Sequence, residues 1–351
     1  MKTVTITDVA KHAGVSKSTV SQYLNKRYDY MAEKTKKKIE QAIEELGYQP
    51  NFLARSLKQK STTTIGVITA NILHVFSTQV IRAIEDFCNQ HDFHVIVCNA
   101  DDDAEKEKKY MDMLRAKQVD GIIIFPTGDN VETYNQMLKE NYPIVFVDRY
   151  VPGLEVSAIL LDNMKASTMA VNEFTRNGYE KIGLILPENP ELITPRRERI
   201  LGYKEAMKAN GLTINPEYIQ STEVKNMQQA LDTLLALPDP PNAIIAGNDL
   251  ALYEVLKYTK EKEIHIPKDL GIVAIDDVPF ANLYYPAITS IAQPAFEMGT
   301  KAAYLLFEKI NKQNTSSEEV FRFEPELIVR SSLIESTRNE GKGVVTSEGN
   351  N

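Results

Sequence analysis

Residues 5–25 read TITDVAKHAGVSKSTVSQYLN, and their caps decide how the head of this chain folds. Thr5 followed three residues later by Asp8 makes a capping box, with Asp where Glu is usual. A short helix follows, with Val9, Ala10 and Ala13 on one side. Gly14 supplies the turn, because glycine accepts a positive φ without steric cost. Ser16 caps a second helix over about 17–25, with Val20 and Leu24 inward and Lys17, Ser18, Ser21, Gln22 and Asn25 outward. A third helix, about 32–46, carries Ile39, Ala42, Ile43 and Leu46 at helical spacing and ends at Gly47. Three short helices with a tight turn between the first two form a helix-turn-helix unit. In such a unit the second helix enters the DNA major groove.

Charge points the same way. The 351 residues carry a net charge of −8. Residues 1–60 hold twelve Lys/Arg against six Asp/Glu, a net of +6, which leaves −14 on the rest. A basic head on an acidic body is the footprint of a head that meets a polyanion. The length suits two to three domains. The apolar fraction of 43% supports a globular core. MKTVTITDVAKHAG has no apolar run before its first charges and is not a signal peptide. GIIIF at 121–125 and AIIA at 243–246 are too short to span a bilayer, so no membrane partner is expected. Two cysteines, Cys88 and Cys98, make neither a disulfide framework nor a metal cluster, which fits a reducing cytoplasm.

Beyond Gly47, Pro50 breaks the third helix and leaves NFLARSLK, a segment too short to be a stable helix alone. TITDVAKHAGVSKSTVSQYLN and then ELGYQPNFLARSLK resemble the DNA-binding head and hinge of the lactose/galactose repressor family. The resemblance extends to about residue 335. It implies a head at 1–48 and a hinge at 49–60. The candidate DNA contacts are Thr5, Ser16, Lys17, Ser18, Thr19, Ser21, Gln22 and Asn25, with Asn51, Ala54 and Leu57 in the hinge. It further implies that the hinge folds on operator DNA and that Leu57 wedges into the minor groove, unstacking a base step to bend the site. The family usually has Arg at the position of Gln22. Arg suits guanine O6/N7 and Gln suits adenine N6/N7, so the half-site is expected to read A·T where relatives read G·C. Met31 stands where the family often has a capping Ser or Thr, which weakens the N-cap of the third helix.

The body, 61–335, alternates β-branched runs with amphipathic stretches. Strands are expected at 63–69, 94–100, 121–126, 143–148, 158–162, 181–187, 243–248 and 270–276. Helices are expected at 77–91, 104–117, 131–140, 164–177, 196–210, 226–236, 249–262 and 295–311. Such alternation predicts α/β architecture with parallel sheets. The family here resembles periplasmic sugar-binding proteins, which implies two lobes, at about 61–162 with 292–323, and about 163–291 with 324–335. Ligands in these folds bind at strand carboxyl ends. Those ends supply Asn71, Asp148 and Arg149, Asp162, Asn248 with Asp249, and Asp276. Asp249 is expected to cap the following helix. Matching to the family adds Arg199 and Gln293. The run Thr194-Pro195-Arg196-Arg197-Glu198-Arg199 adds Arg196 as a further effector candidate. Guanidinium forks suit carboxylates, so the arginines favour a sugar acid over a neutral sugar. The head is also similar to that of repressors of 2-keto-3-deoxygluconate use.

No GxGxxG, GxxxxGK[ST], GxSxG or HExxH occurs. No cofactor, metal or catalytic residue is expected, and the chain reads as a non-enzyme. His91 and His94 read as surface histidines. Asp101-Asp102-Asp103 reads as a solvated loop, because it lacks the spacing and bidentate Glu of a calcium loop. Residues 336–351 are rich in Gly, Ser, Asn and Glu and read as a disordered tail. That tail has no leucine. Some relatives tetramerise through a C-terminal leucine repeat, so the resemblance implies a homodimer here, on a pseudo-palindromic operator. The leading expectation is thus a repressor released from DNA by a small sugar or sugar acid. Two alternatives stay open: control by a phosphorylated carrier protein, and a sugar-processing enzyme or receptor with an appended head.

Overall fold

A computed structural model of the protein describes residues 4–29, 31–49, 61–311 and 319–333. The chain divides into two compact units, Met1–Thr63 and Thr64–Asn351.

The head has three helices, α1 (Ile6–Ala13), α2 (Lys17–Leu24) and α3 (Glu33–Leu46). The capping box on α1 forms in full: Thr5 accepts from the Asp8 amide, and Asp8 accepts from the Thr5 amide. Gly14 closes α1 at φ 65°, and Ser16 caps α2 through the Thr19 amide. Val9, Val20 and Ile39 are fully buried and knit the three helices into one small core. The N-cap of α3 is Ala32, which has no side chain to accept a hydrogen bond.

The body has two lobes, each a six-stranded sheet covered by helices. In chain order its elements are β1 (Thr64–Thr69), α4 (Val75–Gln90), β2 (His94–Asn99), α5 (Ala104–Ala116), β3 (Gly121–Ile124), α6 (Val131–Lys139), β4 (Ile144–Val147) and β5 (Ala158–Leu161). There follow α7 (Asn163–Arg176), β6 (Ile182–Pro187), α8 (Thr194–Ala209), β7 (Ile219–Thr222), α9 (Met227–Leu235), β8 (Ala243–Ala246), α10 (Asp249–Glu261) and β9 (Gly271–Ile275). The last are β10 (Thr289–Ala292), α11 (Ala295–Ile310), β11 (Val320–Phe323) and β12 (Glu326–Ile328). All eight expected strands and all eight expected body helices form, with ends shifted by one or two residues. Strands β7, β10, β11 and β12 were not expected.

The first lobe orders its strands β11-β5-β4-β3-β1-β2, all parallel. The second orders them β12-β10-β9-β8-β6-β7, parallel except for the β10–β12 pair. The central strands are buried on both faces, which is why they read as continuous apolar runs. The chain passes between lobes after β5, after β10 and after β11. Each lobe also holds one very close helix pair. A Cβ at Gly202 of α8 would lie 2.3 Å from the Met164 carbonyl oxygen of α7. A Cβ at Gly299 of α11 would lie 2.6 Å from the Val80 carbonyl oxygen of α4.

Candidate functional site

In the head, Lys17, Ser18 and Gln22 stand exposed on α2. Ser16 is committed to its cap, and its hydroxyl is 2.7 Å from those of both Ser18 and Thr19. Ser21 and Asn25 are half-buried, and Asn25 donates its amide to the Ser21 carbonyl at 2.6 Å. Thr5 is exposed at the start of α1. The hinge candidates Asn51, Ala54 and Leu57 lie outside the described residues.

In the body, a half-open cavity lies between the lobes, lined by residues of both. Six of the eight effector candidates line it: Arg149, Arg196, Arg199, Asn248, Asp276 and Gln293. Asp148, His74, Phe76 and Phe125 join them. Phe76 and Phe125 meet edge to face and give one apolar wall.

Strand ends position the polar groups. Asp148 follows β4 and Asp276 follows β9, and both take left-handed backbone angles, φ 68° and φ 89°. That conformation is costly for a non-glycine residue, and such residues gather at ligand sites. Burial pushes Asp276 up to about 6, reinforced by the nearby Asp249 carboxylate. Burial also raises Asp148, against the pull of Arg149. Gln293 donates to Asp276 Oδ1 at 2.5 Å, and the buried Gln293 Oε1 has no hydrogen-bond partner. Arg199 is fixed from two sides, donating to Asn163 Oδ1 at 2.9 Å and to the Gly247 carbonyl at 2.6 Å. A Cβ at Gly247 would lie 2.7 Å from the Ile185 carbonyl oxygen, so a larger residue there would force the backbone to shift.

Three guanidiniums therefore converge on one cavity. Arg149 and Arg196 are 5% and 9% exposed, too buried to be solvated surface arginines. Burial and repulsion from Arg149 push Arg196 down to about 10, so it remains protonated at neutral pH.

Four expectations need correction. Asn71 does not line the cavity; its Oδ1 accepts the Leu73 amide in a tight turn. Asp162 does not line it either, because it is spent as the N-cap of α7, accepting from the Lys165 amide. Asn248, rather than Asp249, caps α10. Asp249 instead crosses to the other lobe, accepting from the Val75 amide at 2.7 Å and pairing with His74 Nδ1 at 2.5 Å. Finally, Asp101 to Asp103 are not simply a solvated loop. Asp103 caps α5, Asp101 pairs with Lys106, and Asp102 reaches into the cleft to Arg149 at 2.7 Å.

His74 and Asp102 are functional candidates that sequence reasoning missed. Both lie just past strands β1 and β2, so the strand-end rule had a signal for them. Burial opposes charge on His74, but its hydrogen bond to Asp249 and three surrounding carboxylates outweigh it and raise its pKa.

Further bonds join the lobes. Thr194 at the start of α8 exchanges hydrogen bonds with the Tyr150 backbone, at 3.1 and 3.0 Å. Arg322 of β11 grips Glu198 of α8 with both terminal nitrogens, at 2.9 and 2.7 Å. His91 and His94 are exposed, and His91 stacks on Phe87. Among the described residues, no group of His, Cys, Asp and Glu could hold a metal ion, and no helix is long and apolar enough to cross a membrane.

Known proteins share this arrangement. Residues 5–51 match the family described as bacterial regulatory proteins, lacI family, and residues 171–333 match a periplasmic binding protein-like domain. The transcriptional regulator EndR of Paenibacillus polymyxa is 48% identical over 334 residues, covering 94% of this chain and 98% of its own. The transcriptional regulator KdgR of Bacillus subtilis (strain 168) is 33% identical over 336 residues, covering 94% and 97%. Among solved structures, the Lac repressor dimer bound to operator and an anti-inducer superposes with a TM-score of 0.80 at 24% identity. It covers 94% of this chain and 99% of its own, and at that identity the likeness speaks for the fold. The head, the two lobes and the relatives agree: this chain belongs to the lacI family of bacterial transcriptional regulators.

Proposed function

We propose that the protein is a cytoplasmic, homodimeric repressor of sugar-acid or sugar catabolism genes, released from a pseudo-palindromic operator when a small sugar acid enters the cleft. The observation that carries the effector class is the convergence of three buried arginines, Arg149, Arg196 and Arg199, on one cavity. A guanidinium fork matches a carboxylate in shape and charge. Asp276, Asn248 and Gln293 supply acceptors and donors for hydroxyls, and hydroxyl recognition is sharp because an unmatched buried polar group is costly. The relatives are transcriptional regulators, which supports reading the site as a sensor rather than an enzyme.

On the DNA side, α2 presents Lys17, Ser18 and Gln22 to the major groove, with Asn51, Ala54 and Leu57 proposed as hinge contacts. Two-fold pairing is supported by exposed apolar side chains next to the second lobe's core: Tyr253, Leu283 and Tyr285 are 59%, 82% and 96% exposed. Release requires that the effector bind the DNA-released arrangement more tightly than the DNA-bound one, with reciprocal coupling.

The test is an operator-binding titration with the purified full-length protein. Uronates, aldonates and 2-keto-3-deoxygluconate should release DNA without any protein co-effector, and the matching neutral sugars should not. Release by neutral sugars alone would overturn the assignment of effector class. Sedimentation of the DNA-free protein as a tetramer would overturn the dimer.

A further inference from the structure

Two of the cleft's guanidiniums, Arg149 and Arg196, come from opposite lobes, and one side chain, Asp102, ion-pairs with both. Asp102 Oδ1 is 2.7 Å from Arg149 Nη2, and Asp102 Oδ2 is 3.5 Å from Arg196 Nη2. One internal carboxylate thus sets one oxygen against each lobe's arginine. Burial opposes ionisation of Asp102, but Arg149 and Arg196 outweigh it and hold the carboxyl below its ordinary range. Arg149's other partners are more distant: Nη1 reaches the Pro126 carbonyl at 3.4 Å, and Nε lies 3.6 Å from Asp148 Oδ2.

Two buried like charges need anions near them. Asp148, at the end of β4, is one that acts on both arginines. Asp102 is the other, and it comes from a turn, with its side chain 34% exposed. The turn places Asp101 and Asp102 at φ 55° and φ 57°, and the Asp102 amide holds the Ala70 carbonyl at 2.8 Å. The carboxylate is therefore tethered at the backbone and open to solvent on one side.

We propose that Asp102 is a built-in stand-in for the effector's carboxylate, occupying the Arg149–Arg196 anion site and yielding it to an acidic effector. The inference rests on the sugar-acid reading of the cleft. A tethered carboxylate competes at a high effective concentration, so it lowers the affinity for every anion that must displace it. It also sets selectivity. A neutral sugar cannot repay the two arginines and leaves Asp102 in place, whereas an acid replaces like with like.

Isothermal titration of the full-length protein tests this, with galacturonate, gluconate and 2-keto-3-deoxygluconate as acidic probes and galactose and glucose as neutral ones. Two variants are used, Asp102→Asn and Asp102→Gly, because Asn and Gly both tolerate the positive φ of that turn. Both should bind at least one acid about tenfold or more tightly than the native protein does, while affinity for neutral sugars changes less than about twofold. Acid binding that is unchanged or weaker in both variants, with the native protein binding acid, overturns the stand-in role and leaves the sugar-acid reading intact. Neutral sugars binding all three proteins, with no acid binding any, overturns that reading and the stand-in role together. Equal melting temperatures of the three proteins exclude misfolding as the cause.

Discussion

Replacing Asp249 with alanine removes both acceptors of the contact that joins α10 of the second lobe to the start of α4 in the first. His74 Nδ1 and the Val75 amide lose their partners at 2.5 and 2.7 Å. The His74 and Asp249 side chains are 16% and 5% exposed, so solvent screens the pair little. A hydrogen bond to a charged group contributes about 1.5–3 kcal/mol. Two of them sum to at least about 3 kcal/mol, which shifts the closed-to-open ratio of the lobes about 100-fold. Where the effector binds only closed lobes, its apparent affinity falls in proportion to the closed fraction. Small-angle scattering of the ligand-free variant should show a larger radius of gyration, and titration calorimetry a loss of affinity of up to about 100-fold. The contact also carries a pH signature. The folded pKa of His74 is raised above the ordinary value of about 6.5. Its charged contact with Asp249 is therefore fully present below about 6.5 and is lost as pH rises through the folded value. Native effector affinity should decline across that alkaline step, and His74→Gln should flatten the profile. An Asp249→Ala protein with native radius, native affinity and a native pH profile would refute the reasoning.

Three further outcomes are expected. Gln22→Arg should change the preferred operator base from A·T to G·C at one position per half-site, worth about 1–3 kcal/mol each, as read by operator selection and competition binding; an unchanged preference would count against groove contact by Gln22. Ala32→Ser gives α3 the N-cap it lacks, stabilising the head by about 1 kcal/mol and slowing exchange of its core amides about fivefold in the full-length protein. Gly202→Ala forces a methyl against the Met164 backbone, which should cost about 1–3 kcal/mol and lower the melting temperature of the body by roughly 2–4 °C per kcal/mol.

Local chemistry made much of this architecture legible. Thr5, Asp8, Gly14 and Ser16 act through neighbours three or four positions away, and each does in the fold what its spacing implied. Seven of the eight expected strands announced themselves because burial on both faces leaves no polar alternation; β2, at the sheet edge, is largely half-buried or exposed. The unexpected strands carry weaker signals. Strand β11 alternates exposed and half-buried residues over four positions, and β7 is mostly polar. Strand β10 is buried but only four residues long, and it lies between Pro286 and Pro294.

The cleft was legible where a strand end delivers a side chain directly, as with Arg149 and Asp276. It was misread where a polar residue had two local uses. Asp162 and Asn71 both sit at strand ends, yet a nearby backbone amide claims each of them. Asp249 and His74 are 175 positions apart, so no window of sequence could pair them. Asp102 was hidden differently, inside a run of three aspartates of which Asp101 and Asp103 both engage Lys106 and only Asp102 reaches Arg149.

The Arg322–Glu198 grip gives α8 a mechanical character. Glu198 sits near the start of that helix, between Arg196 and Arg199, and it is clamped to β11 of the opposite lobe. The same helix is held along its length in its own lobe: Arg199 donates to Asn163 and to the Gly247 carbonyl, and Gly202 packs directly on the Met164 backbone of α7. The helix that carries two of the cleft's arginines is thus a strut braced in both lobes at once, and a ligand that draws on those arginines loads both anchorages together.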